Sequence, residues 1–457
     1  MTIEAIIVFL IALLVLIAAF LFYHYYHFRF VSFVRNEHSP DMDPASIEGY
    51  SDKYYYLPGE KILFFLYSEY ERNSLLLRRM KAPYEFEDIL SKEFSKVVQV
   101  RKSNASEHGC GWEKTLEITL EPETKPGYYQ ALLKSEEGNI EYPIYFIVGS
   151  RKKADILIIA PVSTWNAYNP YGGKSLYQNN LEAKTVYYVS SQRPNNAFQL
   201  NHDIQVEANA FNWFSKQYES VNIIPDYFLE DRHENWMGAK MMVLVYHCEY
   251  ISRKMYDNTL HFLTRDSSLI SLGANQYYWS MRWHEDHTRM ECRKDLTFFD
   301  DSLEYGGMWK HHFRHQNSLF GEGYTGSGMH TFAPYKVTNA GHWLLEGSNV
   351  RDGDLFGIHG INELGISGAE TDKVKRSPDG EILAHGMNCD SEGTGKNYDG
   401  TDTRWNGEGG GDILLKNLSD RNAILAAGSI QCASGLGTDK VFTTIIQNFI
   451  KKYVLGD

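Results

Sequence analysis

The strongest hydrophobic pattern lies at the N-terminal end of the chain. Residues 5–23 form an unbroken apolar run of 19 residues, which as a helix is about 28 Å long, close to the thickness of the bilayer core. A cleaved signal peptide would have basic residues before such a run and small residues after it. Glu4 precedes the run, and the aromatic and imidazole residues 24–27 follow it. The pattern therefore predicts a single-pass transmembrane anchor over 1–28.

The residues after this anchor indicate its orientation. Arg29 and Arg35 lie on the C-terminal side of the apolar run, and the positive-inside rule then puts the body of the chain in the cytoplasm. Residues 36–50 are polar and contain proline, which is typical of a linker. We therefore expect a linker over 29–49 that joins a membrane anchor to a cytoplasmic body.

Short runs of strand-like residues, separated by turn residues such as Leu57-Pro58-Gly59, fill the next hundred positions. The runs lie at 61–68, 74–80, 96–101, 115–121, 128–133 and 142–148. Short strands at this spacing predict a β-sandwich domain of immunoglobulin-like type over 50–150.

The pattern changes after residue 150. Continuous apolar runs, as expected of strands buried on both faces, lie at 155–162, 185–190, 241–247, 268–275 and 423–429. Helical spacing occurs over 201–219, where Asn201 or Asp203 is the candidate cap, and over 252–264 and 439–454. This alternation predicts an α/β domain over 151–457: a mostly parallel sheet with helices on both faces, like those of glutamine amidotransferases or flavodoxin.

Charge and cysteine content narrow the function classes. The 457 residues carry a net charge of −13, which argues against a nucleic-acid partner. The 5 cysteines are odd in number and include no Cys-x-x-Cys pair, so a disulfide framework or a zinc knuckle is not expected. Free thiols in a reducing compartment are the simpler interpretation.

Candidate chemistry follows the predicted strands, because ligands of open α/β sheets bind at the carboxyl ends of the strands. His247 and Glu249 end the third run, and Asn275 ends the fourth. Residues two apart at a strand end point to the same side. A carboxylate there can act as a general base or metal ligand, and an imidazole can move protons. The alternative is a hydrogen-bonded histidine beside a glutamate at a helix N-cap.

An ordered set of motifs carries a resemblance to a known family. The motifs are Thr164-Trp165-Asn166-Ala167-Tyr168-Asn169, His247-x-Glu249-Tyr250, Gly273-x-Asn275, Gly368-x-Glu370-x-Asp372 and Ala427-Gly428-Ser429-Ile430-Gln431. Over 152–457 this set resembles the large subunit of N,N-dimethylformamidase and its relatives. Tyr56 to Glu60 and Pro126 to Tyr129 are similar to the β-domain that precedes the catalytic domain in that family.

The resemblance implies an amide hydrolase with one iron ion, expected as Fe³⁺, held by two tyrosines and a glutamate. The glutamate corresponds to Glu249 and one tyrosine to Tyr168. The second tyrosine falls in Gly127-Tyr128-Tyr129, where the Gly-x-Tyr pattern selects Tyr129 and leaves Tyr128 as the alternative. Phenolate and carboxylate are hard oxygen donors that suit an iron acting as a Lewis acid.

The same resemblance implies the residues that would contact the substrate. His247 and Asn275 would lie near it as hydrogen-bond partner or oxyanion donor, and Glu370 would move the proton. The expected substrate is a small amide, for example an N-substituted formamide. The family enzyme works with a small partner subunit, so a partner subunit or a homo-oligomer stays open.

Two alternatives to this hypothesis remain. Cys248 lies at a strand-to-helix turn and could make the protein a cysteine-dependent amidase. The chain could also be a membrane-tethered binding module that keeps the fold without turnover. This sequence departs from the family at Tyr246, where the family has glycine, and at Cys248, where it has an acidic or polar residue. The histidines at 284, 287, 311, 312 and 315 lack the His-Glu-x-x-His spacing of a zinc protease and predict surface positions.

Overall fold

The computed structural model describes residue 9 and residues 12–19, 45–177, 186–200, 202–231, 234–284, 287–324, 331–374, 379–388 and 409–456. The strands are β1 (Ile47–Ser51), β2 (Tyr55–Tyr56), β3 (Lys61–Ser68), β4 (Asn73–Ala82), β5 (Glu85–Phe94), β6 (Leu116–Thr119), β7 (Gly127–Ser135), β8 (Ile140–Val148), β9 (Ile156–Ala160), β10 (Tyr188–Ser190), β11 (Val221–Pro225), β12 (Met241–Tyr246), β13 (Tyr250–Ile251), β14 (Ser268–Gly273), β15 (Trp279–Ser280), β16 (Arg282–His284), β17 (Arg289–Glu291), β18 (Gly323–Tyr324), β19 (Phe332–Ala333), β20 (Tyr335–Val337), β21 (Leu355–Phe356), β22 (Ser367–Gly368), β23 (Asp372–Lys373), β24 (Glu381–Gly386), β25 (Asp412–Asn417) and β26 (Ala423–Ala426).

The helices are mostly short. From residue 45 on, the α-helices of the described part of the chain are Ala105–His108, Val162–Tyr168, Ala197–Leu200, Ile204–Gln217, Glu234–Met237, Arg253–Leu263, Gln316–Phe320 and Lys440–Ile450. Single 3₁₀ turns lie at Asp226–Glu230, Trp309–His312, Trp343–Leu345 and Cys432–Gly435, and a π turn at Lys451–Leu455. Asp203, Ser252 and Asp439 cap the three longest helices through their side chains, as polar residues at these positions commonly do.

Two sheets occupy residues 47–148. One has the order β1-β3-β6 and the other the order β2-β8-β7-β4-β5. The side chains between them form one apolar core that includes Phe64, Leu75, Leu133 and Phe146. The sequence pattern predicted β3 end to end, but the predicted strand at 96–101 is wrong. The immunoglobulin-like class of this region and its boundary at residue 150 stay predictions.

A nine-stranded sheet in the order β11-β9-β12-β14-β26-β25-β24-β20-β21 forms the centre of the C-terminal region. Its first five strands are parallel, and its last four are antiparallel to their neighbours. Alternate residues of β9 and β12 pack into two separate apolar cores, one on each face. These two strands are therefore buried on both faces, as the continuous apolar runs predicted.

The prediction of a mostly parallel α/β fold is wrong, because the sheet is mixed and the fold as a whole is rich in antiparallel strands. The antiparallel half comes from residues 335–417, where β20, β21, β24 and β25 have two to six residues each and pair across long connections. Much of this half has no continuous apolar run, so the local sequence pattern did not predict its strands.

The transmembrane prediction is also wrong. Of the N-terminal apolar run, the structure describes residue 9 and residues 12–19 as helical, and eight helical residues extend about 12 Å. Nowhere in the described part of the chain is a helix both long and apolar enough to cross a membrane. This finding overturns the predicted anchor over 1–28 and the predicted membrane localisation. The rest of that run and residues 29–44 of the linker lie outside the described residues.

Candidate active site

The parallel half of the large sheet brings most of the candidate residues to one edge. Strands β9, β12 and β14 run side by side in parallel. The helix Val162–Tyr168 follows β9 and ends on Tyr168. His247 and Glu249 follow β12, and Asn275 follows β14. Because carboxyl ends of parallel strands meet at one edge, residues far apart in sequence converge there.

Tyr168 and Glu249 both lie beside His247. The hydroxyl of Tyr168 and Nδ1 of His247 are hydrogen-bonded at 3.4 Å. Nε2 of His247 lies 3.8 Å from Oε2 of Glu249 and 3.5 Å from Oε2 of Glu370. All four side chains are at most 9% exposed as whole residues. The imidazole therefore stands between a phenol and two carboxylates in a buried place.

Asn275 joins the two carboxylates. Its side-chain amide donates to Oε2 of Glu370 at 3.0 Å and to Oε1 of Glu249 at 3.4 Å. Its backbone N–H donates to Oδ1 of Asp372 at 2.8 Å. Asn275 has a φ of 52°, a left-handed conformation that asparagine tolerates better than most residues. The strand end and this conformation together aim the amide at both acids.

Burial controls the ionisation of the site. Desolvation, then the charges of Glu249 and Glu370, hold the pKa of Tyr168 well above its ordinary value. Burial and the neighbouring His202 lower the pKa of His247 to about 3, so its imidazole is neutral at pH 7. The site therefore combines a neutral imidazole and a protonated phenol with buried carboxyl groups.

Further tyrosine side chains lie around the same buried group of phenol, imidazole and carboxyl side chains. The ring of Tyr177 lies 4.4 Å from that of Tyr168, and the rings of Tyr278 and Tyr324 meet edge to face at 5.8 Å. Burial, with contributions from Glu249 and Glu370, raises the pKa of Tyr278 and Tyr324. Tyr278 lies three residues after the motif Gly273-x-Asn275, which was an available signal. Tyr324 had none, because it reaches the site through the pairing of β18 with β23.

Tyr129, the predicted third iron ligand, does not join this group. Its ring stacks on Phe146 inside the core of residues 47–148, and its hydroxyl donates to the carbonyl of Lys125 at 2.6 Å. Tyr128 faces the other side of β7, as alternation along a strand requires. Its hydroxyl donates to Oε2 of Glu207 at 2.9 Å. Tyr128 therefore points into the C-terminal region, and Tyr129 does not.

The other candidates have structural roles. Cys248 is fully buried among apolar side chains, and burial raises the pKa of its thiol well above the ordinary value, which opposes the thiolate that a nucleophile needs. His284 contacts Glu291 at 2.9 Å, and His312 contacts the carbonyl of Gly306 at 3.0 Å.

The oxygen donors that converge here are of the kind that binds a hard cation, but they include only two of the three predicted ligands. Tyr168 and Glu249 offer a phenol and a carboxylate in one buried place, and oxygen donors suit trivalent iron. Within the described ranges, no three histidine, cysteine, aspartate or glutamate side chains are arranged to hold a metal ion. Two ligands of the predicted set therefore fit, and Tyr129 does not.

Fold and site define a strand-rich protein with a buried group of phenol, imidazole and carboxyl side chains at the edge of a mixed sheet. The chain belongs to the N,N-dimethylformamidase beta subunit-like family, because the C-terminal model of that family matches residues 80–444. The family resemblance of the sequence is thereby confirmed. The name of the family indicates a dimethylformamidase-like hydrolase.

Other comparisons add little. No curated protein matched the chain. A β-glucuronidase of Parabacteroides merdae is 8% identical with a TM-score of 0.17, over 50% of this chain and 23% of that one. A family 123 glycoside hydrolase of Clostridium perfringens is 9% identical with a TM-score of 0.12, over 54% and 52% of the two chains. The match therefore spans about a quarter of the first enzyme and half of the second.

Proposed function

We propose that this protein hydrolyses a small amide, with N-substituted formamides as the first substrates to test. The observation that carries the proposal is the convergence of Tyr168, His247, Glu249, Asn275 and Glu370 in one buried place. Membership of the N,N-dimethylformamidase beta subunit-like family supports the same reaction class.

Proton transfer is assigned to Glu370. Amide hydrolysis breaks the C–N bond, adds water to the acyl carbon and needs a proton on the leaving amine. The carboxyl group of Glu370 is held by the amide of Asn275 at 3.0 Å and lies 3.5 Å from Nε2 of His247. In this proposal Glu370 takes a proton from water and returns it to the amine, and His247 hydrogen-bonds the substrate.

A metal ion is the expected cofactor. Tyr168 and Glu249 would hold it, and a bound trivalent iron would act as a Lewis acid on the amide carbonyl or on water. The role of the phenol is then to donate an oxygen from the end of the helix Val162–Tyr168. The carboxylate of Glu249 does so from the segment after β12, where Thr164 accepts a hydrogen bond from its backbone N–H at 3.1 Å.

Turnover tests the assignment of Glu370. We expect Glu370→Gln to lower kcat for amine release from N-substituted formamides by about 10²- to 10⁴-fold, the usual contribution of a general acid or base. The matched control is Glu381→Gln, which changes an exposed glutamate of β24 and should leave turnover unchanged. Equal activity of Glu370→Gln and wild type would remove Glu370 from the mechanism.

Iron content tests the ligand set. Tyr168→Phe and Tyr129→Phe each delete one hydroxyl from a buried tyrosine, so they form a matched pair. We expect Tyr168→Phe to lose bound iron and the tyrosinate absorption band, and Tyr129→Phe to keep both. Loss of iron in Tyr129→Phe would contradict the placement of that ring in the sandwich core.

The same assays distinguish the proposed function from two rival functions. A cysteine-dependent amidase would lose all turnover in Cys248→Ala while its iron stays bound. Burial of the thiol argues for the opposite result, so we expect activity to persist. A binding module would give wild-type protein that releases no amine from any formamide. The side-chain set described above favours the enzyme, because a binding module needs no general acid or base beside its ligand.

A further inference from the structure

A second buried polar group lies between the two sheets of residues 47–148 and the candidate active site. The carboxylate of Glu207, on the helix Ile204–Gln217, is fully buried. Tyr128 donates to its Oε2 at 2.9 Å, and the indole N–H of Trp165 donates to its Oε1 at 3.0 Å. Nε2 of His202 also hydrogen-bonds Oε1. We call these four residues the Glu207 network.

The three hydrogen-bond donors around the buried carboxylate of Glu207 hold it in one defined orientation. A buried charge is unfavourable unless partners hold it in good geometry. Here the partners come from three separate segments: β7, the helix Val162–Tyr168 and the stretch before the helix Ile204–Gln217. Nδ1 of His202 has no hydrogen-bond partner among the residues that the structure describes, so Glu207 alone fixes the polar orientation of that ring.

A shared helix and a ring contact connect the network to the candidate site. Trp165 stands three residues before Tyr168 on one short helix, so the backbone of that helix links the two side chains. The ring of His202 meets the ring of Tyr246 edge-on at 4.6 Å, and Tyr246 is the residue directly before His247. Both partners of the Tyr168–His247 hydrogen bond are thus carried by segments that the network holds.

The conformation of Tyr246 indicates why such support is needed. Its φ is 57°, in the left-handed region that a bulky side chain adopts only when its surroundings impose it. The backbone N–H of Asp203, next to His202, donates to the Tyr246 hydroxyl at 3.2 Å. A glycine at this position would need no such support, because it has no Cβ to be strained.

We propose that the Glu207 network is a positioning device, which rests on the proposed function for its effect on catalysis. Through Trp165 and His202 it sets the relative places of Tyr168 and His247, and through Tyr128 it ties them to the sheets of residues 47–148. None of the four residues acts as a catalytic residue in this proposal. Their role is to hold the phenol and the imidazole in register.

The test compares Tyr128→Phe with Tyr129→Phe in the full chain. Each variant deletes one hydroxyl from adjacent residues of β7, but only Tyr128 belongs to the network. We expect Tyr128→Phe to lower kcat by about tenfold or more with little change in KM, since small misplacements in an active site are costly. We expect hydrogen–deuterium exchange of residues 241–252 to become faster, with iron retained. Tyr129→Phe should change neither quantity.

Other results overturn the proposal. Equal exchange rates over 241–252 in the two variants would mean that the network does not hold that segment. Loss of iron in Tyr128→Phe without faster exchange would make Tyr128 a metal ligand instead. Absence of turnover in the wild type removes the proposed function but leaves the exchange comparison decisive. If Tyr128→Phe does not fold, Glu207→Gln replaces it, since a glutamine of the same size cannot accept from all three donors.

Discussion

The replacement Asn275→Asp tests the arrangement of the site most directly. The side-chain amide of Asn275 donates to Glu370 at 3.0 Å and to Glu249 at 3.4 Å. Aspartate has the same shape and tolerates the same left-handed backbone conformation. The substitution therefore changes one property: the donor between two carboxylates becomes a third carboxylate.

The expected effect follows from the distances. At 3.0–3.4 Å and an effective dielectric constant of 20, two full charges repel by about 5 kcal/mol. The variant can avoid this repulsion if one of the carboxyl groups stays protonated. Holding that proton at pH 7 costs about 1.4 kcal/mol for each pH unit above an ordinary carboxyl pKa of about 4. We therefore expect metal-free Asn275→Asp to lose roughly 3–5 kcal/mol of unfolding free energy at pH 7. A carboxyl group whose pKa is raised by folding destabilises the folded state more as the pH rises. The loss of unfolding free energy in Asn275→Asp should therefore be smaller at pH 4–5 than at pH 7.

Chemical unfolding of chelator-treated protein at pH 5 and pH 7.5 measures both effects. Asn349→Asp is the matched control, because Asn349 is exposed and also left-handed, with a φ of 60°. We expect the control to stay close to wild type at both pH values. An Asn275→Asp variant as stable as wild type at pH 7.5, or a loss independent of pH, would refute the idea that three side chains share this space.

Three further predictions concern the scaffold. Burial and two neighbouring aspartates hold the pKa of Glu322 well above its ordinary value, so its stabilising effect is complete at acid pH and is lost as pH rises. The Glu322→Gln variant should therefore have a higher free energy of unfolding than wild type at pH 8, and chemical unfolding should show that this difference vanishes near pH 4. Gly273→Ala would put Cβ 2.1 Å from the carbonyl oxygen of Tyr246, and we expect a lower melting temperature, with a loss of about 1–3 kcal/mol. Asp439→Ala removes the cap that accepts from the N–H of Phe442 at 2.8 Å, and denaturant titration should show a loss of about 1 kcal/mol.

Local patterns in the sequence were enough for the parallel half of the sheet. Residues 241–246 are apolar throughout, and the run 268–275 has apolar or small side chains on both faces up to Ala274, so they indicated strands buried on both faces. The structure has them as β12 and β14. Ser252 caps the following helix, as its predicted start at that residue implied. These features depend on neighbours within a few positions of the chain.

The antiparallel half depends on contacts between distant segments. β21 has two residues and β24 six, and the first residue of each, Leu355 and Glu381, is exposed. Such strands carry no apolar run, and only pairing with a partner defines them. For the same reason Tyr324 could not be assigned to the site. Its position follows from a pairing with Asp372, 48 residues further along the chain.

The choice between Tyr128 and Tyr129 shows the limit of strand periodicity. Alternation predicts that adjacent residues of β7 face opposite ways, and they do. It does not tell which face meets the C-terminal region, because this depends on how the two sheets of residues 47–148 pack against it. The Gly-x-Tyr pattern selected Tyr129, whereas the structure turns Tyr128 toward Glu207.

The error in fold class and the composition of the site have one physical cause. Ser429, just beyond β26, bridges to Thr371, and the residues on either side add hydrogen bonds from Ile430 to Glu370 and from Asp372 to Gly428. A segment of the chain that returns antiparallel beside the end of a parallel strand can contact that end directly. A wholly parallel sheet would route each return through a long crossover over one face. The antiparallel bridge at the end of β26 therefore brings Glu370, which lies between β22 and β23, beside Asn275 and Glu249. Long-range antiparallel pairing of this kind is what the sequence pattern missed, and here it delivers the proposed proton-transfer group.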